Sequence, residues 1–350
     1  MGIFDNMLKG DESLFLNEIA LDFDYLPKEV PFRENENKQV AECIKPLFSE
    51  RTGTNLFICG SPGIGKTVAV KNVFRELKTK TDSIKTIYIN CWKLDTSFKM
   101  AVNILEQLDY KWVHNKRTDE LIKIIASILN KQNVVFCFDE VDKAKETDIF
   151  YSLAEDILRK SIILVTNEKD WLSHLDNRIK SRLMLDMLEF KPYNINETEE
   201  ILKQRRDFVF VRGVFDEHAF DLIVNKTYQT KDLRTGLFLM RESGNIAENA
   251  SSRKIKEDHV KLAILKQSKF KIKSSADFGE EERKILNLIK EHSGKTIKDV
   301  YEVYRKIGGD KSYRTFHRSI NDLKVNKMIL VEGKSGTSSI VRYSRKLTDF

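Results

Sequence analysis

The sequence predicts a parallel α/β domain, then an all-helical segment, then a small unit of three helices and a hairpin. Three observations carry this. Residues 1–190 alternate short apolar runs with amphipathic stretches. Residues 191–270 hold helical patterns with no convincing strand, apart from an ambiguous Phe208–Val211. Beyond a polar, basic stretch at 267–279, three further helical patterns precede two strand-like runs.

Asn55–Cys59, Thr86–Asn90, Asn133–Asp139 and Ser161–Thr166 are β-branched or aromatic and short. Such runs suit central strands covered on both faces. Between them Lys66–Lys78, Ser97–Leu108, Asp119–Leu129 and Asp148–Arg159 carry helical periodicity. Strands spaced by helices predict a parallel sheet with helices on both sides. The next helical patterns are Glu197–Phe208, Asp216–Lys226, Leu233–Glu248 and Glu257–Lys266, with a capping segment for the first within Asn194–Glu199. The last unit reads as helices over Glu280–Glu291, Thr296–Lys306 and Lys311–Asn326, then strands Met328–Val331 and Ser339–Tyr343. Glu332–Ser338, with Gly333 and Gly336, joins the strands, which is the order of a winged helix. The expected domains are therefore 1–190, 191–272 and 273–350.

A hydrophobic fraction of 41% beside 32% charged residues is a globular composition. No apolar run reaches the ~18 residues of a membrane span. The acids early in MGIFDNMLKGDESLF argue against a secretory signal. Cys43, Cys59, Cys91 and Cys137 form no C-x-x-C pair, and the six His make no H-E-x-x-H. Reduced thiols are expected, and the pattern argues against a disulfide scaffold or metallohydrolase. No G-x-S-x-G elbow appears either. The charge is uneven. Residues 281–350 hold 16 Lys and Arg against 9 Asp and Glu, which accounts for the whole net charge of +7. A neutral body with a basic terminal unit points to an anionic partner for that unit.

Gly60-Ser61-Pro62-Gly63-Ile64-Gly65-Lys66-Thr67 fits G-x-x-x-x-G-K-[ST], after a strand and opening a helix that continues with Val68. Glycines let successive N–H groups turn inward on phosphate oxygens, and the helix N-terminus adds its partial positive charge. Lys66 would reach the β- and γ-phosphates of ATP, and Thr67 would offer a hydroxyl to Mg²⁺. The apolar run Phe136–Phe138 ends in Asp139 and Glu140. Two carboxylates closing a buried strand are costly without a task. Asp139 would hold Mg²⁺, and Glu140 would orient and deprotonate the attacking water.

These motifs resemble those of AAA+ ATPases, and the resemblance implies further parts. Asn167, after strand Ile162–Val165, matches the polar residue that positions water near the γ-phosphate. Leu175–Arg182 stands where the family carries an arginine finger, with Arg178 the first choice and Arg182 the alternative. Lys231-Asp232-Leu233-Arg234 resembles the lid motif Gly-Asp-x-Arg, so Arg234 would reach the γ-phosphate; Lys231 stands in place of the glycine.

In Lys311–Asn326 the spacing of Tyr313, Phe316, Ile320 and Leu323 marks a buried face. Lys311, Arg314 and Arg318 project oppositely, with Thr315 nearer the edge. A recognition helix needs that layout. Lys334, with Ser335 and Thr337, would add contacts at the hairpin tip, and Arg342 on the returning strand.

A P-loop module, helical lid and C-terminal winged helix together resemble the archaeal replication initiators, relatives of the eukaryotic origin-recognition-complex and cell-division-control proteins. Tyr25-Leu26-Pro27 and Pro31-Phe32-Arg33-Glu34 resemble that family's N-terminal segment beside the adenine, and Phe190-Lys191-Pro192-Tyr193 the strand after its finger. The resemblance thus implies Arg33 and Tyr193 as nucleotide-binding residues. It implies ATP/ADP and Mg²⁺ as cofactors, and origin duplex DNA, a replicative helicase and paralogous initiators as partners. The chain would be a slow ATPase in the cytoplasm at the nucleoid, monomeric or assembling on DNA. The family's DNA-contacting insertion corresponds to about Cys91–Arg117, with Lys93, Lys99, Lys111, Lys116, Arg117, Trp92 and Trp112; Phe98, Val102, Leu105 and Leu108 equally fit a core helix there. Two other readings stay open: a signalling ATPase whose winged helix senses a protein, and a helper ATPase of transposition or plasmid maintenance.

Overall fold

The structure, a computed structural model, describes residues 13–270, 280–325, 328–332 and 339–343. The chain divides into two compact units, Met1–Val260 and Lys261–Phe350.

The first unit is built on a five-stranded parallel sheet of β1 (Asn55–Cys59), β2 (Ile84–Asn90), β3 (Asn133–Asp139), β4 (Lys160–Thr166) and β5 (Leu185–Glu189). The strand order is β2-β3-β4-β1-β5. Every residue of β3 and β4 is buried. This is why their apolar runs show no alternation: successive side chains enter two different cores. Leu56, Ile58, Val135, Cys137, Ile163 and Val165 pack on the side of α1 (Glu34–Ile44) and α2 (Lys66–Lys80). Phe57, Ile87, Ile89, Phe136, Phe138 and Leu164 face α3 (Ser97–Gln107), α4 (Thr118–Leu129) and α5 (Asp148–Asp156). The short α6 (Trp171–His174) and α7 (Asn177–Leu183) lead into β5. Helix α5 is shorter than the expected Asp148–Arg159, because Ile157 turns to extended backbone. All four cysteines are free thiols and buried.

Helices α8 (Ile195–Val209), α9 (Glu217–Thr230), α10 (Leu233–Asn249) and α11 (Glu257–Phe270) follow. Asn194 and Glu197 close a reciprocal capping box at the start of α8, each side chain accepting the other's N–H at 2.9 Å. The ambiguous Phe208–Val211 is the end of α8 and a single antiparallel bridge between Phe210 and Phe15.

That bridge belongs to an N-terminal strap. Ser13 Oγ and the Leu14 N–H both donate to Glu248 at 2.7 Å. The Leu16 and Asn17 N–H groups donate to Val209 O. The Phe15 ring lies 4.8 Å from that of Phe210 and fills a notch at Gly244, where a Cβ would collide with it. Arg205 of α8 holds Ala20 O at 2.6 Å, and Arg241 of α10 holds Asp22 at 2.6 Å. The strap then crosses to the sheet side, where Arg75 of α2 donates to Pro27 O and Lys28 O.

The second unit has α12 (Glu280–Glu291), α13 (Ile297–Lys306) and α14 (Tyr313–Val325), then β6 (Ile329–Glu332) antiparallel to β7 (Ile340–Tyr343). This is the order of a winged helix. Ile285, Ile289, Val300, Tyr304, Phe316, Ile320 and Val341 form its core. Tyr313, expected on the buried face, is 40% exposed and leans edge-on to Tyr301; Ser319 takes the buried place on α14. Gly333, Lys334, Ser335, Gly336 and Thr337 lie outside the described residues.

Candidate functional site

The loop between β1 and α2 has three glycines with positive φ. At Gly63 the requirement is double. Its φ is 71°, and a Cβ there would strike the Asp232 carboxylate. Its carbonyl accepts the Leu233 N–H at 3.1 Å, so the start of α10 is bonded to the loop. Gly65 caps α2 without a side-chain acceptor, and no acid stands in the first turn. The helix N-terminus therefore keeps its N–H groups and partial charge for an anion.

Lys66 is buried and curls into the loop. Its Nζ donates to Gly60 O at 2.7 Å, Ser61 O at 2.8 Å and Asn167 Oδ1 at 2.7 Å. Burial lowers its pKa to about 8, against the pull of Asp139. Phosphate oxygens are stronger acceptors than these three, so an incoming anion would recruit this ammonium. Thr67 Oγ1 donates to Asp139 Oδ2 at 2.6 Å. A hydroxyl and a buried carboxylate in contact are hard oxygen donors, which fit a Mg²⁺ ion completed by phosphate oxygens and water.

Glu140 follows Asp139 with φ 57° and ψ 45°. Left-handed backbone at a non-glycine residue stores strain of order 1 kcal/mol or more, and such strain clusters at working sites. Burial, then the nearby Asp139 and Asp142, raise its pKa. A carboxylate with raised proton affinity is the better general base.

These groups line one cleft of about 820 Å³. Gly63, Gly65, Lys66, Thr67, Val68, Asp139, Glu140, Asn167, Tyr193 and Arg234 all border it. Residues Asp22–Pro31 of the strap form another wall, with Leu202, Arg205 and Phe208 from α8. Gly60, Ser61, Pro62 and Ile64 shape the loop without lining the cleft, and Ile64 packs into the core. The sequence reading missed Lys71, Tyr88, Asn90 and Arg205, which also line it.

Arg33 stands apart from these groups. Expected beside the nucleotide, it does not border the cleft. It is buried behind the loop, 3.9 Å over the Tyr193 ring. It donates to Ile64 O at 3.1 Å, Lys191 O at 2.7 Å and Glu36 at 2.7 Å. Arg178 is also apart from the cleft. Its side chain is 86% exposed on α7, beside Asp176. Arg182 pairs with Glu155 at 2.7 Å. Lys231, in place of the lid motif's glycine, has φ 53° at the end of α9, as a glycine would. Arg234 is half exposed with Asp232 as neighbour.

In the Cys91–Arg117 stretch, α3 buries Met100, Ala101, Ile104 and Leu105, with Val102 and Leu108 packed partly beside them. Phe98 departs from the core reading at 44% exposure. Trp92 and Trp112 are exposed, Lys99 pairs with Asp95, and Lys93 borders the cleft.

On α14, Arg314, Thr315 and Arg318 are exposed, and Thr315 bonds Ser312 at 2.9 Å. Lys311, expected to project with them, is half-buried, and its Nζ turns back to Ser319 Oγ at 3.2 Å. Arg342 is exposed on β7. His317 and Asn321, absent from the expected set, share the exposed side of α14.

A profile described as the Cdc6 AAA+ ATPase-type lid domain matches residues 199–264, and one for the AAA domain matches 49–169. The ORC1-type DNA replication protein 1 of Archaeoglobus fulgidus is 30% identical over 365 aligned positions, covering 96% of this chain and 89% of that protein. The chain belongs to the ORC1-type DNA replication protein family. Its counterpart of the same name in Sulfurisphaera tokodaii is 31% identical over 84% of this chain and 79% of its own. Among solved structures, the Aeropyrum pernix Orc1 protein in complex with DNA aligns with a TM-score of 0.70 at 22% identity, covering 96% and 94% of the two chains. Cdc6p of Pyrobaculum aerophilum aligns at 0.67 and 17%, covering 96% of each. At those identities the likeness carries the fold. No helix among the described residues of this ORC1-type chain is long and apolar enough to cross a membrane.

Proposed function

We infer that this ORC1-type chain is an ATP-dependent replication initiator. It binds origin duplex DNA through the winged helix and AAA+ contacts, and its nucleotide state is the switch. The lid would span 191–272 and the DNA-binding domain 273–350. Loading of a replicative helicase, with paralogous initiators as co-partners at the nucleoid, would be the output. The observation that carries the reading is the exposed cationic side of α14, with Arg314 and Arg318 one turn apart. A solved neighbour, the Aeropyrum Orc1, is bound to DNA.

At the nucleotide site, Lys66 would leave its three loop acceptors for the β- and γ-phosphates. Bound Mg²⁺ would neutralise charge on the phosphoryl oxygens, held by Thr67 and Asp139. Asn167 would orient the attacking water and Glu140 would take its proton. Arg234 would carry the state of the γ-phosphate into α10, whose first N–H already bonds Gly63 O. Arg178, exposed and outside the lining of its own cleft, suits a finger offered to a neighbouring subunit. Turnover would be slow, as befits a switch.

The test is binding of labelled duplex across a salt series in ATP and in ADP. Log affinity should fall with log salt by about 0.9 per phosphate neutralised. Arg314→Ala and Arg318→Ala should each lower that slope by about one. Full-length protein that binds no duplex at moderate salt in either nucleotide would refute the initiator reading.

A further inference from the structure

The Asp139 carboxylate has a partner outside both nucleotide motifs. Tyr88 on β2 donates its phenol to Asp139 Oδ2 at 2.7 Å, the same oxygen that Thr67 reaches at 2.6 Å. The other oxygen, Oδ1, accepts the Glu140 N–H at 3.0 Å. Strand register brings the tyrosine there. Tyr88 pairs with Cys137 and Asn90 with Asp139, so Tyr88 and Asp139 face the same side of the sheet, toward α2. The ring is fixed from that side as well: Lys71, one helical turn after Thr67, holds its ammonium 4.6 Å from the ring centroid. Helix α2 thus reaches Asp139 directly through Thr67 and again through Lys71 and Tyr88.

Two hydroxyl donors on one carboxylate oxygen fix the rotation of the group and leave Oδ1 a lone pair beyond the Glu140 N–H. Thr67 belongs to the phosphate loop, whereas Tyr88 belongs to the sheet. Of the two hydroxyls on Oδ2, the tyrosine's is the one that can hold Asp139 independently of how the loop moves on its ligand.

We propose that Tyr88 is a positioning residue for the divalent cation that accompanies nucleotide: its hydroxyl orients Asp139 and thereby sets the Mg²⁺ affinity of the site. This rests on the Mg²⁺–nucleotide reading above. Outer-shell donors of this kind typically contribute about 10–100-fold to metal affinity.

Tyr88→Phe removes one oxygen and keeps the ring under Lys71. Full-length wild type and variant are titrated with a fluorescent ADP analogue, first in EDTA and then across a Mg²⁺ series. The affinity in EDTA should stay within about twofold, while the Mg²⁺ concentration giving half of the cation-dependent gain rises about tenfold. Mn²⁺ binding to the nucleotide-loaded protein, read by electron paramagnetic resonance, should weaken by the same factor. The EDTA arm reports the integrity of the site. Equal weakening with and without Mg²⁺ assigns Tyr88 to packing alone and overturns the proposal. So does an unchanged Mg²⁺ midpoint. If wild-type protein binds nucleotide but gains nothing from Mg²⁺, the cation reading itself falls, and the role of Tyr88 with it.

Discussion

Arg33→Ala separates two roles for one arginine. A nucleotide contact would weaken ATP binding and spare the fold. A buried clamp would do the reverse. The magnitude follows from what the truncation leaves behind. Ile64 O is buried and loses its donor, at about 1–3 kcal/mol; Lys191 O and the Glu36 carboxylate are partly wet and lose less, about 0.5–1 kcal/mol each. Loss of the guanidinium over Tyr193 removes about 1 kcal/mol more. Relief of the arginine's own desolvation offsets part, and its Nε has no acceptor in the native fold. A net loss of about 3 kcal/mol results, which in a unit of this size lowers Tm by about 6–12 °C. The assay is calorimetry of nucleotide-free protein, paired with ATP-analogue titration well below the transition. Binding should stay within about fivefold, since the side chain lies outside the cleft. An unchanged Tm with binding lost more than about tenfold, or 1.4 kcal/mol, would refute the clamp and restore Arg33 to the nucleotide.

Lys66→Ala should weaken nucleotide binding by about 100-fold, because charge-assisted bonds to phosphate are lost, and equilibrium dialysis reads this. Arg178→Ala should leave nucleotide affinity of the isolated chain unchanged and lower turnover only where subunits assemble; equal loss of turnover at all protein concentrations would contradict a finger acting in trans. Lys231→Gly should raise stability by about 1 kcal/mol in thermal unfolding, because the position holds positive φ on an exposed lysine.

What the sequence made legible follows burial. β3 and β4 are buried on both faces, and an uninterrupted apolar run is the signature of that environment. β5 left no such signature: it is an edge strand whose Asp186, Met187 and Glu189 are exposed. Helix α1 escaped notice because ENENKQVAECI buries only Val40, Cys43 and Ile44. The phosphate loop and Asp139–Glu140 are local in sequence, so spacing alone assembled them. Arg33 and Tyr88 are different. Arg33 finds Lys191 O at a separation of 158 residues, and Tyr88 finds Asp139 at 51. A tyrosine inside a β-branched run reads as core, and only the register of β2 on β3 gives its hydroxyl a carboxylate. Lys311 illustrates the converse: helical periodicity gave it an outward direction, but it precedes the helix and its stem folds back onto Ser319.

The N-terminal strap has a mechanical consequence. Among the described residues the backbone passes between the sheet and the lid twice. One passage runs from Phe190, bonded to Cys59 O, to the cap of α8 at Asn194. The other runs from Asp22, held by Arg241, to Pro27, held by Arg75. A body attached at one point can swivel in any direction. Attached at two, it keeps one easy freedom, rotation about the line joining them, as a door turns on its pair of hinges. Residues Asp22–Pro27 of the second passage line the cleft, so a lid movement driven by nucleotide would be one whose direction the chain itself fixes, with a reach that grows with distance from the hinge line.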